Sequence, residues 1–265
     1  MSARFVAASS QSLVSSPVTG AFVPPFTVGM WINPHIVSGN PYFWTAASNA
    51  SDVDYYGFDI NGGDYSAVGR SVSTAAGATC VTHNAAADVW TFILGRFIKT
   101  NDMRLDILFA DGITDAAKDQ SNTISRVNTG TIANLGSYKG QTQSNYFDGR
   151  IGEYWVANKD VTLGDINTTA LSRATLLQLA YQGPFGIPAI AQSIVEYRSL
   201  RTVGLNGTVP EDFFINRQGE DTAANIGVGS LLPINTNLNS VQSAPHPPLM
   251  ANYVVPTVSP RIVPI

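Results

Sequence analysis

Apolar side chains recur at every second position in several stretches of this chain. Phe26, Val28, Met30 and Ile32 fall on one face of an extended segment, and Thr27, Gly29 and Trp31 fall on the other. Trp90, Phe92 and Leu94 alternate with Thr91, Ile93 and Gly95, and Met103, Leu105, Ile107 and Phe109 alternate with Arg104, Asp106 and Leu108. A period of two predicts β-strands with a preferred buried face. Asn61-Gly62-Gly63, Asp111-Gly112 and Asp148-Gly149 supply the positive-φ positions that hairpins need. Trp31, Trp90 and Ile151 are expected between two sheets, and Trp44 and Trp155 are also read as core. One helical window stands out: Ser172 can cap its start, Leu176, Leu177, Leu179 and Ala180 form a stripe, and Gly183-Pro184 ends it. Many strands, frequent turns and a single helix predict an all-β, two-sheet antiparallel sandwich.

The spaced phrases FTVGMWINP (26–34), YYGFDINGG (55–63), WTFILGRF with MRLDILFADG (90–112) and YFDGRIGEYWVANKD (146–160) occur in that order. ARFVAASSQSLVS precedes them, and ALSRATLLQLAYQG follows them. Together they resemble a laminin-G-like domain, including its opening strand and the short helix after its last core strand. The resemblance covers residues 4 to about 183. It implies a concanavalin A-like jelly roll, a fold that serves sugar binding, glycoside hydrolysis, adhesion and structural roles. Function must therefore be argued from sites.

Beyond residue 205 the character changes. Prolines gather at 210, 233, 245, 247, 248, 256, 260 and 264, and after Asp221 the only remaining charge is Arg261. Proline bars this segment from helix and from central strands. Leu249, Tyr253, Val254, Val255, Ile262, Val263 and Ile265 are too apolar for a disordered tail. The expectation is a 1–205 sandwich followed by a 206–265 extended, Pro-rich C-terminal arm used in assembly, with folding back over its own sandwich as the alternative. The phrase SAPHPPL behind such a domain also resembles a pattern in bacteriophage structural proteins.

Charged residues make up only 13% of the chain and the formal net charge is −4, against a usual charged share of about 25%. No long basic run is present, so phosphate neutralisation, and with it nucleic-acid binding, is not expected. Cys80 is the single cysteine, which excludes an intrachain disulfide. The opening MSARFVAASSQSLVSS lacks the basic start and apolar core of a secretory leader. No run approaches the roughly 18 apolar residues of a membrane span. The sequons at Asn49, Asn167 and Asn206 matter only in a eukaryotic secretory setting.

Glycoside hydrolysis needs two carboxylates about 5 to 9 Å apart. The four glutamates, Glu153, Glu196, Glu211 and Glu220, do not form the E-x-D-x-E pattern of the glucanase branch. Glu153 reads as a strand carboxylate bonded to its neighbours. Asp52, Asp54, Asp59 and Asp64 are the candidates for a calcium site, the plainer reading being solvated turn carboxylates. His35, His83 and His246 are isolated, Cys80 and His83 lack an orienting acid, and no zinc or phosphate-loop spacing occurs. Tyr42, Tyr55, Tyr56 and Tyr65 lie near turns and are the candidate sugar platform. No enzyme activity, no cofactor and no membrane partner is expected. The resemblances favour a structural virion protein of the capsid decoration or cement type, homo-oligomeric and in contact with other virion proteins. It would be made in the host cytoplasm. The alternative is a lectin-like carbohydrate-binding module on a virion or cell surface.

Overall fold

The computed structural model describes residues 2–10, 12–15, 22–47, 55–71, 74–80, 84–99, 102–109, 112–118, 132–139, 143–158, 171–184, 187–191, 193–198, 231–233 and 243–244. In chain order the first strands are β1 (Ser2–Phe5), β2 (Leu13–Ser15), β3 (Phe26–Pro34), β4 (Tyr42–Ala47), β5 (Tyr55–Asn61), β6 (Asp64–Ser71), β7 (Thr74–Cys80) and β8 (Thr91–Lys99). There follow β9 (Asp102–Phe109), β10 (Thr114–Lys118), β11 (Ile132–Leu135), β12 (Tyr138–Lys139), β13 (Gln143–Ser144), β14 (Gly149–Ala157), β15 (Ile194–Arg198), β16 (Leu231–Pro233) and β17 (Ser243–Ala244). Helices α1 (Arg173–Gln182) and α2 (Pro188–Ala191) lie between β14 and β15.

Sheet A has the order β10-β9-β8-β3-β14-β1-β17, with β15 following β1 along the same edge of β14. Sheet B has the order β16-β2-β11-β4-β5-β6-β7. All named strand pairings are antiparallel. This is the two-sheet antiparallel sandwich that the alternation predicts, in the jelly-roll form that the laminin-G-like resemblance implies. At the β5–β6 turn Asn61 pairs with Asp64 around Gly62 and Gly63, whose φ values are 64° and 96°. Two positive-φ residues give the turn whose twist matches the strands it joins. The expected turn at Asp148-Gly149 is not one. Gly149 opens β14, and a Cβ there would come within 2.6 Å of the Asn33 carbonyl oxygen and 2.5 Å of the Phe147 ring. Close strand approach, not a positive φ, calls for glycine at that position.

The core between the sheets takes one parity of each strand. Val28, Met30 and Ile32 of β3, Ile93 of β8, Leu105 and Ile107 of β9, and Ile151 of β14 meet Trp44, Phe58 and Tyr56 of sheet B. Phe26 stacks on Phe97 at 4.5 Å between ring centroids. Ile151 is where the alternation places it. Trp31 and Trp90 are buried but do not lie between the sheets. They belong to a second apolar cluster on the outer face of sheet A, with Phe92, Leu94, Leu108 and Trp155. The opposite parity from Met30 sends Trp31 outwards. Burial there comes from α1, which lays Leu176, Leu179 and Ala180 over this face.

Helix α1 begins and ends as its sequence predicts. Ser172 Oγ accepts from the Thr175 amide at 3.2 Å, and Gly183 closes the helix with φ 70°. Two polar links bind this layer to the sheet. Trp31 Nε1 donates to the Ala180 carbonyl at 2.7 Å. Asp106 of β9 accepts from the Leu171 amide at 2.9 Å and pairs with Arg96 of β8 at 2.8 Å, both side chains fully buried. The four-residue α2 was not expected from the sequence.

Of residues 206–265, the described ones form β16 and β17. They pair with β2 and β1, one on each sheet. The proposed arm residues Leu249, Tyr253, Val254, Val255, Ile262, Val263 and Ile265 lie outside the described residues. No helix among the described residues is long and apolar enough to cross a membrane.

Candidate functional site

The tyrosines expected to form a sugar platform separate by parity. Tyr55 and Tyr56 are neighbours on β5, so they must face opposite ways. Tyr56 points inward against Phe26 and Phe97, and Tyr65 is fully buried with its hydroxyl 3.2 Å from Thr91 Oγ1. Tyr42 and Tyr55 meet on the outer face of sheet B, their hydroxyls 3.0 Å apart, and Tyr138 of β12 joins them. The three ring centroids lie 5.9, 5.3 and 4.9 Å apart in tilted and edge-on pairs. Tyr42 is 8% exposed and Tyr55 5%. A stacking platform needs a free ring face, and these rings cover one another. The platform expectation is therefore corrected for all four residues.

The same face carries polar groups at paired positions. Asp59 sits opposite Tyr42 and Ser66, Arg70 opposite Tyr55, and Asn134 opposite Thr45. Burial raises the Asp59 carboxyl to about 6, against hydrogen bonds from Ser66 and Tyr42 that lower it. Burial also raises Tyr42 and Tyr55 above the usual phenol range. Asn134 is fully buried, with neither atom of its amide hydrogen-bonded among the described residues.

Asp59 is thus a buried strand residue, not a turn ligand, and Asp64 is half-buried at the start of β6. Asp52 and Asp54 lie outside the described residues. Among the described residues no three His, Cys, Asp or Glu side chains gather as a metal site. The described glutamates fall on opposite faces of sheet A. Glu153 packs outward, its Oε1 2.5 Å from where a Gly183 Cβ would stand. Glu196 is fully buried and accepts from the Tyr154 hydroxyl at 3.3 Å, which itself accepts from Trp44 Nε1 at 3.1 Å. Two acids on opposite faces cannot flank one glycosidic bond. Glu211, Glu220, His83, His246 and the sequon asparagines Asn49, Asn167 and Asn206 lie outside the described residues.

An open site lies elsewhere. Two residues beyond Trp31 along β3, past the helix-covered part of sheet A, is a pocket of about 160 Å³. Asn33, His35, Asp88, Gly149 and Arg150 line it. Asn33 and Arg150 are register partners on β3 and β14, on the face opposite Ile32 and Ile151. Arg150 Nη1 donates to Asn33 Oδ1 at 3.4 Å. The His35 and Ile36 amides donate to the Asp148 carbonyl, at 2.8 and 3.3 Å, fixing the turn that leaves β3. His35 Nδ1 lies 3.2 Å from Asp88 Oδ1, with both side chains more than half exposed. Asp88 holds a left-handed φ of 60°, and its amide donates to the Pro34 carbonyl at 2.6 Å. Non-glycine residues in that region carry strain that the surrounding structure must fix. The pocket therefore combines an amide, a guanidinium, an imidazole and a carboxylate beside the Gly149 backbone. Sequence reasoning treated His35 as isolated. Asp88 is far from it in sequence, and no spacing rule connects the two.

No protein-family model matches the sequence, and a comparison with curated proteins finds no match. Solved structures do share its architecture. A candidate carbohydrate-binding protein of Bacteroides ovatus ATCC 8483 superposes with a TM-score of 0.51 at 13% identity, over 88% of this chain and 58% of that one. The heptameric SAP-like pentraxin of Limulus polyphemus gives 0.45 at 12% identity, over 64% and 75% of the two chains. The LG1-3 region of the laminin α2 chain gives 0.46 at 11%, over 58% and 31%. The chain is an all-β, concanavalin A-like jelly roll, and identities this low extend the likeness no further than the fold.

Proposed function

We propose that this chain is a non-catalytic glycan-binding module, and that the pocket of Asn33, His35, Asp88, Gly149 and Arg150 takes one sugar residue. The pocket's donor and acceptor set carries the reading. Sugar hydroxyls donate and accept at once, so a site for them needs both kinds of group at fixed positions. Asn33 and Asp88 supply acceptors, Arg150 supplies donors, and the His35 ring adds a further polar edge, on two strands and a backbone-pinned loop. The volume equals about five waters of liquid, room for one ring of that size. The likeness to the candidate carbohydrate-binding protein of Bacteroides ovatus supports the reading by analogy of fold.

A second reading comes from the apolar, Pro-punctuated segment 249–265 and the charge-poor composition. These favour a place in a larger assembly such as a virion, where the chain would present its pocket outwards. The two readings are compatible. A glycan microarray tests the first. Wild-type protein should bind a defined subset of sugars, and Arg150→Ala should lose that binding while melting like wild type. Binding that survives Arg150→Ala moves the site elsewhere, and a blank array refutes the glycan reading.

A further inference from the structure

We propose that the pocket selects sugars carrying a carboxylate over their neutral counterparts, an inference that rests on the glycan reading above. The two acids beside the pocket already have hydrogen-bonding partners. Asp88 faces His35 with both oxygens, at 3.2 and 3.3 Å. The carboxylate of Asp148, adjacent to the pocket, is buried and turned to the Ala7 amide at 3.2 Å. Arg150 has no carboxylate partner among the described residues. Its contact is the neutral Asn33 Oδ1, at the long distance of 3.4 Å. A guanidinium carries five donors in a planar fork, and one is engaged among the described residues. Arg4 stands at the paired position across the β1–β14 ladder.

A carboxylate on a sugar ring meets this arrangement better than a hydroxyl does. Its two oxygens accept a pair of parallel N–H donors from Arg150, a bidentate contact that is short, directional and stronger than a neutral hydrogen bond. The ring hydroxyls beside it then fall to Asp88, as acceptor, and to the Asn33 amide. His35 Nδ1 is held toward Asp88, which orients the ring of the imidazole at the pocket mouth. The sugar class follows from a cation that has no acid partner among the described residues, set beside groups that suit hydroxyls.

A matched array tests it: glucuronate- and galacturonate-terminated oligosaccharides printed beside the corresponding glucosides, galactosides and uronate methyl esters. Wild-type protein should prefer the free acids by about tenfold or more, the size of one charge-assisted contact. Arg150→Gln should weaken every sugar and abolish the difference between the free acids and their neutral counterparts, at the wild-type melting temperature. Arg150→Lys, which keeps charge but not the fork, should recover only part of it. His35→Ala should weaken acid and neutral ligands alike. Equal binding of acids, esters and neutral sugars, lost on His35→Ala, overturns the acid selectivity and leaves the glycan site standing. An acid preference that persists in Arg150→Gln also overturns it. A failure to bind any sugar removes both.

Discussion

Sheet A and sheet B each turn one face away from the shared core, and the two faces are closed in different ways. On sheet A the outward residues are Trp31, Phe92, Leu94, Leu108 and Trp155, and α1 seals them into a second apolar core. On sheet B the outward residues are Tyr42, Tyr55, Asp59, Ser66, Arg70 and Asn134, a mixture suited to hydroxylated ligands. Yet the chemically inviting face is the closed one, its tyrosines packed ring to ring. The accessible polar site lies beyond the helix-covered part of the apolar face, where the exposed His35 and Asp88 stand beside Arg150 and the buried Asn33. Residue chemistry therefore does not locate a site by itself. Access depends on which elements, remote in sequence, settle on each face.

The comparison can be broken from its apolar side first. Trp155 is fully buried, and its ring lies against Gly29, where a Cβ would come within 2.3 Å of it. Trp155→Ala should cost about 3 to 5 kcal/mol in urea unfolding, because it empties the layer that seats α1. A loss near 1 kcal/mol would mean that the helix seals nothing. Asp106→Ala should cost a comparable or slightly smaller amount, about 3 to 5 kcal/mol, by stranding the buried Arg96. Asp106→Asn should recover part of this by keeping an acceptor for the Leu171 amide.

The polar face gives a different signature. The Asp59 carboxyl stands at about 6 in the folded chain, above the ordinary aspartate value of 3.8. The folded state then holds this proton more tightly than the unfolded state. The stability it confers is full below pH 3.8, declines as pH rises toward 6, and is gone above that. The difference corresponds to roughly 2 to 3 kcal/mol. Asp59→Asn should flatten this part of the melting profile between pH 4 and 7 and raise stability at pH 7. An unchanged profile would show that the carboxylate is solvated. The smallest effect is expected from Tyr55→Phe, about 1 kcal/mol, for the lost hydroxyl contact with Tyr42.

Much of this architecture was legible in the chain because a period of two is a local signal. The faces of β3, β8 and β9 followed from alternation alone, and Ser172 and Gly183 bounded α1. Alternation says which residues share a face, not what covers it. Trp31 was therefore assigned to the wrong core, because α1 begins beyond residue 170 and its docking surface is not written into β3. The tyrosine platform failed partly on a local rule, since Tyr55 and Tyr56 cannot share a face. It also failed on a nonlocal one, because Tyr138 arrives from a distant hairpin. The pocket was not visible at all. It depends on the β3–β14 register and on a left-handed Asp88 that brings its carboxylate to His35.

A crystal structure of the protein bound to its best array ligand tests the account most directly. The account predicts sugar density in the Asn33–Arg150 pocket, with ligand oxygens within hydrogen-bonding distance of the Arg150 guanidinium and Asp88, and the Tyr42, Tyr55 and Tyr138 rings still packed together. Density lying instead on the outer face of sheet B, with those rings parted and the pocket empty, would contradict it.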